Sequence, residues 1–333
     1  MSILYHLTIL PSVRPECEAI SQEVSALQRR FAGHWMYINP NERALFYIPR
    51  LLFGFHRLRE IRRLEDTLCL HHLYNPDPFP FPYLLLLRRP VIYSLTGGVI
   101  HLPNPSFLAR MAAVTVMDED SRTRLQDWGL ENVFLVRPGI DTTRFTHHPL
   151  PLESEVRLLV GSAPWTREQF RTKGILALLE AAQREPRLHL VFLWRGVLVE
   201  EMNRLVTVMG LQNRVTILNR VVDVNQVLAE VHASIVLATT PTIVKAYPHS
   251  LMESLAAGKP VLVSRAIPMA RYVEKTGCGR VLERVTASDI LTAIGSLAQE
   301  YQLTQEIAQA VGKRDFALES MVASFGAIYE SLQ

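Results

Sequence analysis

Short runs of apolar, β-branched and aromatic residues alternate along the whole chain with polar or glycine- and proline-bearing breaks, and with longer stretches whose apolar residues recur at helical spacing. The runs predict strands at residues 3–9, 35–38, 68–70, 91–94, 113–117 and 132–136, then at 156–160, 188–194, 215–218, 234–238, 260–264 and 279–282. Residues 15–31 give the clearest helix. Most intervening stretches are long enough to return over a sheet, as parallel strands require. The pattern therefore predicts an α/β protein with two doubly wound domains in tandem.

Between the two series, residues 146–154 are polar and carry Pro149 and Pro151. That break predicts one domain at residues 1–150 and a second at 151–313. Residues 314–332 have helical period, with Phe316, Met321, Phe325 and Tyr329 as apolar marks. They predict a closing helix within 314–333 that packs across the domain junction.

With 333 residues, 48% of them hydrophobic and 20% charged, the chain has the make-up of a globular protein and not of a disordered or fibrous one. A net charge of +3 is too small for a nucleic-acid footprint, so no nucleic acid is expected as partner. Cys17, Cys69 and Cys278 stand far apart with no Cys-x-x-Cys spacing, which argues against a disulfide framework or a zinc site. No apolar run is long enough to span a bilayer and no signal-peptide pattern opens the sequence, so a cytoplasmic location is expected.

Ligands of open parallel sheets bind beyond the carboxyl ends of strands, where helix N-termini offer amides to anions. Residues 245–258 follow such a strand end. Pro248 sets a helix start, Gly258 supplies its terminal cap and Pro260 opens the next strand, so the first amides of a short helix can hold a phosphate. His249 and Glu253, four apart, share one face, which puts a carboxylate one turn from the anion site and within reach of a ribose diol. The plainer alternative is a solvated Glu253 on an exposed face.

Thr96-Gly97-Gly98, at another strand end, reads either as a wall of a binding cleft or as an ordinary turn. Asp118-Glu119-Asp120 reads as helix capping, and the adjacent pairs His71-His72 and His147-His148 have no second cluster at metal spacing, so no metal is expected. Dinucleotide, Walker A and Gly-x-Ser-x-Gly motifs are absent. Their absence removes the dehydrogenase, nucleotide hydrolase and esterase readings.

Three blocks in order, Arg137-Pro138-Gly139-Ile140-Asp141-Thr142-Thr143-Arg144-Phe145, Lys173-Gly174 and residues 245–264, resemble the group-1, family-4 glycosyltransferases of GT-B fold. The resemblance runs through most of residues 90–290. It implies two Rossmann-like domains facing a cleft, with a nucleotide-sugar donor as substrate and no cofactor. Transfer would retain anomeric configuration, need no metal and serve glycan biosynthesis, with a glycan, lipid-linked or small-molecule acceptor. The alternative is a non-catalytic relative that binds a nucleotide sugar as a subunit or sensor.

By the same resemblance, Lys173 and an arginine stabilise the departing diphosphate; Arg167 and Arg171 both lie in the extended loop after Gly161, and Arg171 is favoured. Donor contacts fall on Glu253 at the ribose and on Tyr247, Pro248, His249, Ser250 and Leu251 around the helix start. The family's other donor-site glutamate is Lys245 here, which reads as a partner for an anionic donor group or as a solvent-facing lysine. Ser12, in the first strand-to-helix loop, joins Thr96, Gly97 and Gly98 on the acceptor side of the cleft.

Residues 50–64, from Arg50 to Leu64, hold five arginines among large apolar side chains. This is the composition of a helix lying on an anionic membrane, or of a packed helix with a basic exposed face. The first alternative predicts a peripheral contact at the inner membrane face.

Overall fold

The computed structural model describes residues 2–11, 18–42, 46–194 and 198–333. Among them, two six-stranded sheets are parallel throughout. The first holds β1 (Ile3–Leu7), β2 (Gly33–Tyr37), β3 (Leu70–Asn75), β4 (Val91–Leu95), β5 (Ala113–Val116) and β6 (Val133–Leu135) in the order β2-β1-β3-β4-β5-β6. The second holds β7 (Val156–Val160), β8 (Leu188–Leu193), β9 (Val215–Leu218), β10 (Ala233–Val236), β11 (Val261–Ser264) and β12 (Gly279–Leu282) in the order β12-β11-β10-β7-β8-β9. Most strand residues are buried because crossover helices cover the sheet faces, which is why these strands read as continuous apolar runs.

The helices are α1 (Ala19–Arg30), α2 (Leu58–Leu64), α3 (Pro105–Leu108) and α4 (Glu119–Asp127), then α5 (Glu168–Thr172), α6 (Ile175–Arg184), α7 (Val199–Val208), α8 (Val224–Ala229) and α9 (His249–Ala256). After these come α10 (Met269–Thr276), α11 (Ala287–Gln299), α12 (Tyr301–Asp315) and α13 (Leu318–Ser331). Their ends follow local chemistry. Asp118 caps α4 by accepting from Ser121 N (2.8 Å), Thr286 Oγ1 accepts from Asp289 N (3.1 Å) at α11, and Gly277 closes α10 in the left-handed region. Among the described residues no helix is long and apolar enough to cross a membrane.

The chain divides into two units, one of residues 1–139 with 318–333 and one of residues 140–317. The change falls at 139/140, not at 150/151. Residues 146–149 belong to the second unit because its side chains hold them, as described below. The expected closing helix is α13, which starts at Leu318: Phe316, fully buried beside Tyr247 and Tyr272, ends α12, and its carbonyl accepts from Ile140 N (2.9 Å) before α13 begins.

In the first unit strand parity sorts the core. Ile3, Tyr5 and Leu7 pack with α1 and α13 through Val24, Leu27, Phe325 and Tyr329, while Leu4 faces Tyr83, Tyr93, Leu108 and Leu125. Strand β3 runs on through His71-His72 to Asn75, beyond the apolar run that announced it. Each histidine is matched inside the core. His71 hydrogen-bonds His6 (3.0 Å) and Glu65 (3.2 Å), and His72 hydrogen-bonds Ser94 (2.6 Å) and Tyr329 (2.7 Å). Burial disfavours their charged forms, so the His72 ring is pushed down to about 3.

Residues 50–64 do not form one helix. Arg50–Leu52 and Phe55–Arg57 are single 3-10 turns separated by Gly54 at φ 82°, and only Leu58–Leu64 is α-helical. Gly54 is required there, because the backbone is left-handed and a β-carbon would lie 2.5 Å from the Tyr83 ring.

Candidate functional site

In the second sheet the strand order reverses between β7 and β10, and the crevice beyond their carboxyl ends is where such sheets bind ligands. Two segments meet there. β7 ends at Val160 and passes into Gly161, while β10 leads through residues 237–247 to α9. A methyl at Gly161 would overlap the Ser250 side chain, 2.6 Å from its Oγ, so only glycine lets the loop lie on the first turn of α9.

Pro248 opens α9 with no side-chain cap, and its carbonyl takes the amides of Leu251 (3.1 Å) and Met252 (3.2 Å). The positive end of the helix dipole is thus presented to the Gly161 loop. Lys173, 6% exposed at the end of α5, reaches the same loop and donates from Nζ to the Ala163 carbonyl (2.9 Å). The preceding residue is tied to the β10 side, since Thr239 N donates to the Thr172 carbonyl (2.9 Å).

Glu253 is partly exposed on α9, one turn from His249. Lys245 Nζ lies 3.5 Å from His249 Nε2, which brings an ammonium to that first turn. Tyr247 is buried, its ring set against Tyr272 and Phe316, and Leu251 is fully buried, so these two brace the helix from within. Of the two arginines, Arg167 pairs with Glu201 (2.9 Å) and Arg171 with Glu168 (3.6 Å), both largely exposed.

Ser12 lies outside the described residues. Thr96, Gly97 and Gly98 are buried just past β4, where Thr96 N donates to the Asn75 carbonyl (2.9 Å) and Gly97 N to the Pro76 carbonyl (3.1 Å). The first sheet reverses between β1 and β3, and a polar cluster that the motifs did not announce stands at the end of β3. Arg50 binds Asp77 through two hydrogen bonds (2.9 and 2.6 Å), Asn75 Nδ2 donates to Asp77 Oδ1 (2.7 Å), and the guanidinium lies 4.3 Å from the Phe79 ring centroid. Burial alone would raise the Asp77 carboxyl; Arg50 outweighs it and the pKa falls below its ordinary value. Among the described residues no three His, Cys, Asp or Glu side chains gather as a metal-ligand group.

A further residue had no sequence signal. Lys259, wholly buried just beyond α9, donates from Nζ to the His148 carbonyl (2.7 Å), and His147 hydrogen-bonds the Ala257 carbonyl (3.1 Å). Residues 146–149 are thereby fastened to the far end of the helix whose first turn meets Gly161.

Burial pushes both the Lys173 and Lys259 ammoniums down to about 8 from an ordinary 10.5. Between those values the unfolded chain holds protons that the folded chain has released, so stability rises with pH across that window. Denaturant unfolding followed across it should show the rise, and Lys259→Met should remove part of it. A flat profile for the native protein would contradict the burial of both cations.

Residues 167–314 match the model of the family described as glycosyl transferases group 1. No curated protein matches the chain in sequence. Among solved structures, HepE from Anabaena in complex with UDP aligns over 100% of both chains with a TM-score of 0.73 and 17% identity. A glycosyltransferase from Rickettsia africae gives 0.74 at 14% identity, over 99% of this chain and 98% of that one. Sucrose-phosphate synthase from Thermosynechococcus elongatus gives 0.72 at 14% identity, over 100% of this chain and 99% of its own. At these identities the likeness is one of fold, and it spans both units.

Proposed function

We propose that this chain, a glycosyltransferase of the GT-B fold with a group-1 domain over residues 167–314, transfers a sugar from a nucleotide-sugar donor with retention of anomeric configuration and without a divalent metal. The observation that carries the reading is the approach of Gly161 to Ser250, which sets the loop bonded to Lys173 on the start of α9. One cation and one helix N-terminus then address the same switch point, a fit to a diphosphate.

As the bond between the donor's anomeric carbon and the diphosphate oxygen breaks, negative charge grows on the leaving group. Positive groups fixed there beforehand lower the barrier more than they tighten ground-state binding. The acceptor hydroxyl oxygen bonds to the anomeric carbon on the face the leaving group vacates, and its proton passes to the released diphosphate. Lys173 and the amides at His249 and Ser250 take the growing charge, with Arg171 as the second cation. Glu253 accepts from the ribose hydroxyls, and Lys245 faces an anionic group of the donor. The acceptor, a glycan, lipid-linked or small molecule, is held by the first unit around Thr96, Gly97 and Gly98. The protein works in the cytoplasm with a peripheral contact at the inner membrane face, through the region of Arg50 to Leu64.

A second reading, a nucleotide-sugar-binding subunit or sensor that performs no transfer, is favoured by one observation. Lys245 Nζ stands 3.5 Å from His249 Nε2, where the resemblance places a sugar-binding carboxylate.

Thermal shift with nucleoside diphosphates and their neutral and uronate sugar conjugates tests both. UDP comes first because HepE was found with it. A ligand at about 100 times its Kd stabilises by about 2.7 kcal/mol. One nucleotide class should shift the native protein and fail to shift Glu253→Ala. Binding without slow donor hydrolysis would favour the sensor, and no shift with any nucleotide would remove the donor site from α9.

A further inference from the structure

We infer that residues 46–63 of the first unit seat the protein on an anionic bilayer; the inference deepens the peripheral contact just proposed, rests on that reading, and moves the contact from a helix to a pinned loop. Phe46, Tyr47, Leu51, Leu52 and Phe55 are exposed, Phe46 by 83% and Tyr47 by 77%. Exposed apolar residues are ordinarily scattered singly. Here half of the ten residues 46–55 are large, apolar and open to solvent.

The backbone beneath them is held. Asn41 Nδ2 donates to the Ile48 carbonyl (3.0 Å) and Ile48 N to Asn41 Oδ1 (2.7 Å). Arg50 is locked on Asp77, Phe53 is buried, and Gly54 lies against the Tyr83 ring. The exposed side chains therefore cannot fold back into a core without breaking these contacts.

Charge selects the occupant. Residues 46–64 contain five arginines and Glu60 as the one acid; Glu65 and Asp66 follow directly, so residues 46–66 carry a net +2 of the chain's +3. Arg57 pairs with Glu60 (2.6 Å) and Arg62 lies 3.7 Å from Glu65, while Arg59 and Arg63 are exposed. Apolar side chains beside a concentrated positive charge match an anionic lipid surface. The Arg50–Asp77 pair also ties this loop to the end of β3, next to Thr96, so a bilayer there lies beside the proposed acceptor side and suits a lipid-linked acceptor.

The test is co-sedimentation of the full chain with vesicles of equimolar phosphatidylglycerol and phosphatidylcholine, and with phosphatidylcholine alone. Binding is expected to the anionic vesicles only and to fall as salt screens the attraction. Each arginine near such a surface is worth about fivefold. Arg59→Glu/Arg63→Glu and Leu51→Ser/Leu52→Ser should each weaken binding at least about tenfold, with thermal midpoint and donor hydrolysis kept. Retained hydrolysis separates failure of the contact from failure of the transferase reading. Equal binding to both vesicle types, or binding unchanged in the leucine variant, would overturn the inference. So would a dimer in sedimentation velocity that the leucine variant dissolves, since the loop would then cover a second copy of the chain.

Discussion

Lys173→Ala should lower turnover about 10²–10³-fold, the loss seen when one preorganised group that stabilises developing charge is removed. The loss should appear in kcat and kcat/KM alike, with a smaller change in nucleotide affinity, because the charge it meets grows only as the glycosidic bond breaks. Stability should hold or improve. The ammonium sits 6% exposed against the Ala163 carbonyl, and burial has already pushed its pKa down to about 8, so the folded state bears a desolvation cost that alanine relieves. Steady-state kinetics on the variant decide the matter: native turnover would take Lys173 out of the leaving-group site.

The second large effect lies away from any ligand. Gly312→Ala should cost about 1–3 kcal/mol, read as a lowered denaturant midpoint. A β-carbon at Gly312 on α12 would lie 2.5 Å from Ala256 N and closer still to the Leu255 carbonyl group, both backbone of α9. Neither can turn aside as a side chain can, so α9 must shift. Because α9 carries Glu253 and the first turn that meets Gly161, nucleotide affinity should fall with stability. Gly295→Ala is the internal control: it lies in α11 with nothing within 4 Å of the added carbon, and should be neutral or gain up to about 1 kcal/mol from helix propensity. Equal effects of the two substitutions would sink the claim of close helix contact.

Much of this architecture is legible in the residues. The strands of the second sheet are short apolar runs, and β7, β9 and β12 fall on the expected residues because each is flanked by polar or glycine punctuation. β3 is legible only at its start. Its continuation needs His71 and His72 buried, and their partners Glu65, Ser94 and Tyr329 are set by tertiary contact, up to 257 residues away. Residues 50–64 misread as one helix because arginines interleaved with leucines fit helical period, while Gly54 and the Arg50–Asp77 pair impose turns. The start of α9 follows from Pro248 alone. That Gly161 would touch Ser250, or that Lys259 would reach back to His148, depends on neighbours in a sheet whose order no local pattern states.

The division of the chain has a consequence for synthesis. The first unit is interrupted: residues 1–139 lack one wall, which arrives only with residues 318–333, after the whole second unit. That wall brings Met321, Phe325 and Tyr329, all buried, and Tyr329 closes the hydrogen bond to His72 and stacks edge-on against Phe31. As the chain leaves the ribosome the domain made second is the first able to finish folding, while the domain begun first waits with an apolar face bare. Folding in the order of synthesis is thereby inverted for these two units, and α13 is the step that completes the first of them.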